Sequence, residues 1–210
     1  DLTETKLFIQ NWLDIYISAL YGAKGLFAAS KSVERHEWLA YSRSVNIKGR
    51  YPGITSTRYI ERVSDKDKAA FIESVRSDTT LSPEGFPDFK IYPDKKQAEY
   101  FVVKYVEPLR GNERMLGIDL GAERDRQEFL ERVRDTGAPA ATGRISLIVD
   151  SGKKNGFLIF LPIYRNEAPT STAEERREAL VGYVDGAFVT QDLFAEIFSK
   201  VVIPPEISFE

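Results

Sequence analysis

Apolar residues recur at every third or fourth position through the first 45 residues, and no proline interrupts them. This spacing predicts a single helix over Leu2–Val45. Its stripe consists of Phe8, Trp12, Ile15, Ala19, Ala23, Leu26, Ser30 and Val33. A helix of about forty residues would be about 60 Å long, so we interpret residues 1–47 as a stalk that pairs with a second copy. The alternative is a pair of core helices broken near Gly22 and Gly25, but the stripe persists through both glycines.

Beyond Tyr51-Pro52-Gly53 the pattern changes to the alternation and β-branched runs that are typical of strands. These runs predict strands over residues 54–63, 100–106, 145–149, 157–164 and 180–189, and helices over residues 64–76, 122–134 and 191–200. The proline-rich residues 77–96 are expected to form a long loop, and the polar residues 151–156 the linker of a hairpin. Helices laid on an antiparallel sheet predict an α+β fold with a PAS-like sensor architecture.

The composition excludes several classes of function. Lys and Arg total 29 against 32 acids, so no basic field is present and we expect no nucleic-acid partner. The chain has no cysteine and one histidine, His36, which rules out thiolate chemistry and multi-histidine zinc sites; we expect no cofactor and an exposed His36. No window approaches the ~18 apolar residues of a membrane span. The chain does not begin with Met, and we interpret it as a segment excised from a longer protein.

Two carboxylates stand out from the charged surface pattern. Asp119 follows the apolar residues 116–118 and precedes a helix, so it either caps that helix or points into an enclosed space. Asp185 interrupts an apolar strand and needs a partner, either an arginine of the protein or a donor group on a ligand. Neither a phosphate-binding loop nor a dinucleotide fingerprint occurs in the sequence. We therefore predict that the chain is not an enzyme.

Six short motifs, in order, resemble the CHASE family, the extracytoplasmic sensory domain of histidine kinases, cyclases and plant cytokinin receptors. They cover about residues 51–194 and are Tyr51-Pro52-Gly53-Ile54, Tyr105-Val106-Glu107-Pro108, Leu116-Gly117-Ile118-Asp119, Arg126 with Asp135-Thr136-Gly137, Phe160-Leu161-Pro162-Ile163-Tyr164, and Gly182-Tyr183 with Gly186-Ala187-Phe188. Each motif is weak alone, but their common order is specific. The resemblance implies a long N-terminal helix, a membrane-distal PAS-like module over residues 48–190, and over residues 191–210 a connector and the start of a membrane-proximal module.

The resemblance also implies a ligand pocket in the distal module. Asp119 matches the aspartate that pairs the purine edge of an N6-substituted adenine in cytokinin receptors. Ala141 stands where those receptors carry a larger apolar side chain, and Asp150 falls near a threonine position. We expect the ligand-binding residues to be Asp119, Tyr105, Ala141, Asp150, Tyr183 and Asp185.

The sequence thus predicts the small-molecule sensing domain of a membrane-bound receptor, such as a sensor histidine kinase or a diguanylate cyclase. Its ligand is expected to carry hydrogen-bond donors, as an adenine or cytokinin-like compound does. We expect a homodimer through the N-terminal helix, membrane attachment through flanking segments, and a periplasmic or extracellular location. The alternatives are a ligand-free interaction module and a sensor of amino acids or other small metabolites.

Overall fold

A computed structural model describes residues 2–51, 53–149 and 152–200. The first part of the chain forms three helices, α1 (Leu2–Ala29), α2 (Arg35–Val45) and α3 (Ile47–Arg50). The remaining elements are β1 (Ile54–Ser64), a 3-10 turn (Asp65–Asp67), α4 (Lys68–Arg76), β2 (Glu99–Glu107), a 3-10 turn (Glu113–Met115), α5 (Arg124–Thr136), β3 (Ala140–Ala141), β4 (Ile145–Val149), β5 (Gly152–Tyr164), α6 (Ala173–Ala179), β6 (Leu180–Val189) and α7 (Thr190–Lys200).

The strands form one antiparallel sheet in the order β2-β1-β6-β5-β3, and β4 also pairs with β5. In the centre of this sheet Asp185 of β6 lies in register with Arg58 of β1 on one side and with Phe160 of β5 on the other. The sheet and the long N-terminal helix confirm the predicted α+β fold with a PAS-like sheet.

One face of the sheet is covered by α1 and α2, and we call the core between them the stalk-side core. Tyr16, Leu20 and Ala23 of α1 are buried here, together with Trp38 of α2 and strand residues such as Tyr59. Ile15, which the predicted stripe placed beside Trp12, is 45% exposed instead. The predicted stripe is therefore correct at Trp12, Ala23 and Leu26, whereas Tyr16 takes the buried place that it assigned to Ile15.

The prediction of one continuous helix to Val45 was wrong, because the chain breaks over residues 30–34. The helix does continue through Gly22 and Gly25, as expected. Side chains from the sheet domain bind the backbone at the break: Asn166 Nδ2 donates to the carbonyls of Phe27 and Ser30, and the Tyr105 hydroxyl donates to Val33 O at 3.0 Å. α2 then restarts with a capping box in which Glu34 and Glu37 bind the first turn.

The other face of the sheet is covered by α5 and by residues 108–121, and we call this the α5-side core. Leu130 and Val133 of α5 pack here against strand residues that include Phe160 and Tyr183. Glycines allow the chain to approach closely on this side: Gly117 has a φ of +82°, and a Cβ there would clash with the Lys90 carbonyl. This close approach places the segment before Asp119 directly against the loop of residues 77–96.

One other prediction needs correction. Of the polar run predicted as a linker, residues 152–156 form a strand, since β5 begins at Gly152 and these residues pair with β4. Their polar side chains are accommodated because this end of the hairpin is largely exposed. Between β5 and β6 the chain forms α6, which the sequence pattern did not predict and which begins with a capping box between Thr172 and Glu175. The connector over residues 191–210 is described only as far as α7, and its remainder lies outside the described residues.

Candidate functional site

Asp119 is buried, with 3% of its surface exposed, at the point where the chain crosses the start of β2. One carboxylate oxygen, Oδ1, accepts hydrogen bonds from the backbone N–H of Phe101 at 2.9 Å and of Gly121 at 3.0 Å. The other, Oδ2, accepts from the amide nitrogen of Gln97. All three partners are donors, which suits an ionised carboxylate. Asp119 does not cap α5, because the N-cap position of that helix belongs to Glu123.

A cleft opens beside the partner of Asp119. It has a volume of about 650 Å³, and Gln97 lines it together with Arg62, Glu99 and Gln127. Because Oδ1 is held by two backbone donors, an incoming ligand can reach this carboxylate only at Oδ2, where the Gln97 amide now lies. A ligand donor would therefore bind Asp119 in place of the Gln97 side chain, and the backbone donors would keep their positions.

Asp185 is fully buried in the centre of the sheet and pairs with Arg58. The Arg58 guanidinium donates two hydrogen bonds to its carboxylate, from Nε to Oδ1 at 2.8 Å and from a terminal nitrogen to Oδ2. Burial raises the pKa of Asp185, while the positive charges of Arg58 and, farther off, of Arg126 oppose that rise. The pair satisfies both groups without a ligand, which is the first of the two alternatives that the sequence left open for Asp185.

Tyr183 lies beside Asp185 on the same face of the sheet. Its hydroxyl donates to the carbonyl of Leu130 at 2.8 Å, which joins β6 to α5. Its ring packs edge-on against Phe101, whose backbone N–H binds Asp119. Around this core lies a rim of half-buried apolar side chains, which includes Leu109, Met115, Ile118, Phe129, Ala140, Ile145 and Leu147. Tyr183, Asp185 and Asp119 therefore lie within the packed α5 side of the sheet, with half-buried apolar side chains around them.

The structure does not bring the other predicted residues into this group. Tyr105 lies on the opposite face, in the stalk-side core, where burial raises the pKa of its hydroxyl. Ala141 is exposed on β3, and its neighbour Ala140 packs against the α5-side core instead. Asp150 lies outside the described residues. Of the predicted residues that the structure describes, Asp119, Tyr183 and Asp185 thus lie on one face, and Tyr105 and Ala141 lie elsewhere.

A second cleft, of about 1070 Å³, lies on the stalk side, between the connection from α1 to α2 and the ends of β5 and β6. Asn166 and Lys104 line it, but none of the six predicted site residues does. Within residues 2–51, 53–149 and 152–200, no three acidic or histidine side chains are grouped as metal ligands. No helix in those ranges combines the length and apolar character needed to cross a bilayer.

The geometry and the sheet order define a sensor-type α+β module, and comparison with known proteins gives its family. The sequence profile described as CHASE domain matches residues 31–210, and the chain therefore belongs to the CHASE domain family. Hybrid signal transduction histidine kinase A of Dictyostelium discoideum is 23% identical over 145 residues, which are 65% of this chain and 7% of that protein. CHASE domains are extracytoplasmic sensing modules, so the role of this chain is sensing rather than catalysis.

Among solved structures, the periplasmic sensory domain of the Campylobacter jejuni chemoreceptor Tlp1 is similar, with a TM-score of 0.48 and 8% sequence identity. The similarity covers 100% of this chain and 62% of that one. The chain thus spans a small part of the curated relative and about three-fifths of the solved structure.

Sequence reasoning missed two residues that shape the site. Gln97 donates to Oδ2 of Asp119, but nothing in a single sequence marks a glutamine of a polar loop as a binding residue. Arg58 did carry a signal, because it is a charged residue that shares one face of the predicted strand with Ile54 and Ile60. Its pairing with Asp185 follows from the register of β1 and β6, which the pattern alone does not fix.

Proposed function

We propose that this chain is the ligand-sensing domain of a membrane-bound receptor that signals through a histidine kinase or a diguanylate cyclase. Family membership and the similarity to a hybrid histidine kinase support this proposal. The ligand would be a small molecule that presents an N–H or O–H donor, such as an N6-substituted adenine. Membrane anchors would flank the domain, which would face the periplasm or the cell exterior.

The observation that carries the ligand assignment is the asymmetry of Asp119. A buried carboxylate with one oxygen fixed by the backbone and the other held by one side chain can exchange that side chain for a ligand donor. A ligand carboxylate would be repelled there, whereas the edge of an adenine offers donors. The apolar rim on the α5 side would accept the N6 substituent.

Calorimetry with N6-benzyladenine tests the assignment on the chain and on Asp119→Asn. Asparagine keeps an oxygen for the N–H groups of Phe101 and Gly121 but places a donor where the ligand donor would bind. We expect the variant to unfold at nearly the same temperature and to bind at least tenfold more weakly. Asp125→Asn, an exposed change at the start of α5, is the matched control and should leave affinity unaltered.

Equal affinity of Asp119→Asn and the unaltered chain for a ligand that binds would contradict the role of Asp119. If N6-benzyladenine does not bind, a thermal-shift screen of adenines, amino acids and small carboxylates shows which class of ligand stabilises the chain. A ligand at about 100 times its dissociation constant adds about 2.7 kcal/mol of stability. No shift with any of them would favour the alternative, a module that only packs against other proteins.

A further inference from the structure

A third cleft, of about 510 Å³, lies on the stalk side, where the C-terminal part of α2 meets the end of β2. Its walls include the apolar side chains of Leu39, Leu81 and Leu109. Leu81 is one of the large apolar residues that the fold leaves exposed. The cleft shares no lining residue with the cleft beside Gln97, although one of its wall residues, Leu109, also packs against the α5-side core.

A buried hydroxyl without a partner among the described residues, that of Ser42, distinguishes this cleft. Ser42 lines it and is only 8% exposed, yet its hydroxyl has no hydrogen-bond partner within the described ranges. The hydroxyl of Thr57 is likewise buried without a partner among those residues, and Thr57 lies in register with Glu107, another lining residue. Since buried polar groups are nearly always hydrogen-bonded, such a group facing a cleft indicates that something polar binds there.

The two arginines of the cleft make no close ion pair among the described residues. Arg43 and Arg110 line the cleft, and neither forms an ion pair within 4 Å in the part of the chain that the structure describes. Glu107, another lining residue, is half-buried; burial raises the pKa of its carboxyl, while the positive charge of Arg43 and a hydrogen bond from the backbone of Leu109 oppose the rise. The cleft therefore presents two guanidinium groups and one carboxyl group around an apolar wall.

We propose that this cleft is a second binding site, independent of the function proposed for Asp119, and that it takes a small zwitterion of the α-amino acid class with an aliphatic side chain. The ligand carboxylate would bind Arg43 and Arg110, which suit planar anions. The ammonium group would bind the carboxylate of Glu107 and the hydroxyl of Ser42, and the side chain would pack against Leu39 and the other apolar residues of the wall. Binding would tie the end of α2 to the end of β2.

Calorimetry with three related probes tests this proposal on the complete chain. L-valine carries both charges, isovalerate lacks the amine and isobutylamine lacks the carboxylate. We expect L-valine to bind and each of the other two to bind at least tenfold more weakly. Arg43→Gln and Arg110→Gln, both at exposed positions that leave the core intact, should each weaken L-valine at least tenfold. Arg144→Gln, an exposed arginine outside the cleft, should change nothing.

Glu107→Gln tests the contact with the ammonium group of the ligand separately from the contacts with its carboxylate. It should weaken L-valine tenfold but leave isovalerate unchanged, because the carboxyl of Glu107 is assigned only to the ammonium group. Asp119→Asn should leave L-valine affinity unchanged. Loss of L-valine binding in Asp119→Asn would move the amino acid to the other site and overturn the proposal. The absence of binding to the unaltered chain, or equal affinities for L-valine and isovalerate, would overturn it as well.

Discussion

At the scale of single residues, the fold gives the buried carboxylates of Asp185 and Asp119 partners from other elements as well as from the local backbone. Asp185 binds Arg58 across the β1–β6 ladder, and Asp119 binds backbone N–H groups at Phe101 and Gly121. The pattern of the chain showed that both aspartates need partners, because each interrupts an apolar run. It could not show which partners, since these depend on strand register. The exposed position of Ala141 beside the half-buried Ala140 has the same origin, because a shift of one residue changes the face of a strand.

Removing one member of the buried Arg58–Asp185 pair should be more harmful than removing both. We expect Arg58→Met to lower the free energy of unfolding by about 3–5 kcal/mol, because it leaves Asp185 charged and buried without compensation. Arg58→Met combined with Asp185→Leu should recover most of that loss, since it leaves no unpaired charge. Urea unfolding measures all three proteins.

The pH dependence of Arg58→Met provides an internal check. Without Arg58, nothing nearby fully opposes the burial that raises the pKa of Asp185, so the folded variant binds a proton more readily than its unfolded chain does. Its stability deficit should therefore shrink as the pH falls. A deficit below about 1 kcal/mol at neutral pH, or one that the double variant fails to reduce, would contradict this account.

At the scale of elements, the strands could be predicted and the end of the first helix could not. The alternation and β-branched runs of β1, β2, β4 and β6 are local signals, and the strands begin within a residue or two of their expected positions. The break over residues 30–34 depends instead on Asn166 and Tyr105, which lie far along the chain and bind the backbone at the break. The apolar pattern of the first 45 residues is a local signal, so it could not show a break that depends on these distant contacts.

The contact between α5 and α6 is sensitive to pH through Asp135. Hydrogen bonds from Arg177 of α6, with a smaller contribution from Arg134, lower the pKa of Asp135 to about 2 although burial opposes this. The stabilisation is present above the ordinary pKa of an aspartate and is lost as the pH falls towards 2. We expect Asp135→Asn to cost about 1 kcal/mol at pH 7, because the pair is partly exposed.

Thermal or urea unfolding from pH 7 down to pH 2 measures this effect, and the difference between the chain and Asp135→Asn should shrink over the acidic part of that range. Glu128→Gln is the control, since Glu128 and Arg124 form an exposed pair within α5. It should change stability by no more than about 0.5 kcal/mol. A difference for Asp135→Asn that stays constant down to pH 2 would mean that the loss comes from packing rather than from charge.

At the scale of the whole molecule, one face of the N-terminal helix packs against the sheet and another face is exposed. Tyr16, Leu20 and Ala23 are buried against the domain, so they are not available to a second copy. Leu7 and Ile15 are 55% and 45% exposed, and together with the exposed Asn11 and Ser18 they recur at spacings of three or four residues. If the helix pairs in a membrane-bound receptor, as we propose, this face is where the two copies meet.

Single cysteines test this pairing without background, because the chain has none of its own. In the complete membrane-bound receptor that we propose, cysteines at Leu7, Asn11, Ile15 and Ser18 should crosslink, since their side chains point away from the sheet. Cysteines at Tyr16 and Leu20 should not, because those positions are buried within one copy. The isolated domain can remain a monomer in dilute solution, where no membrane raises the effective concentration of the second copy. Crosslinking in the receptor that is equal at all six positions would mean that the helices do not pair through this face.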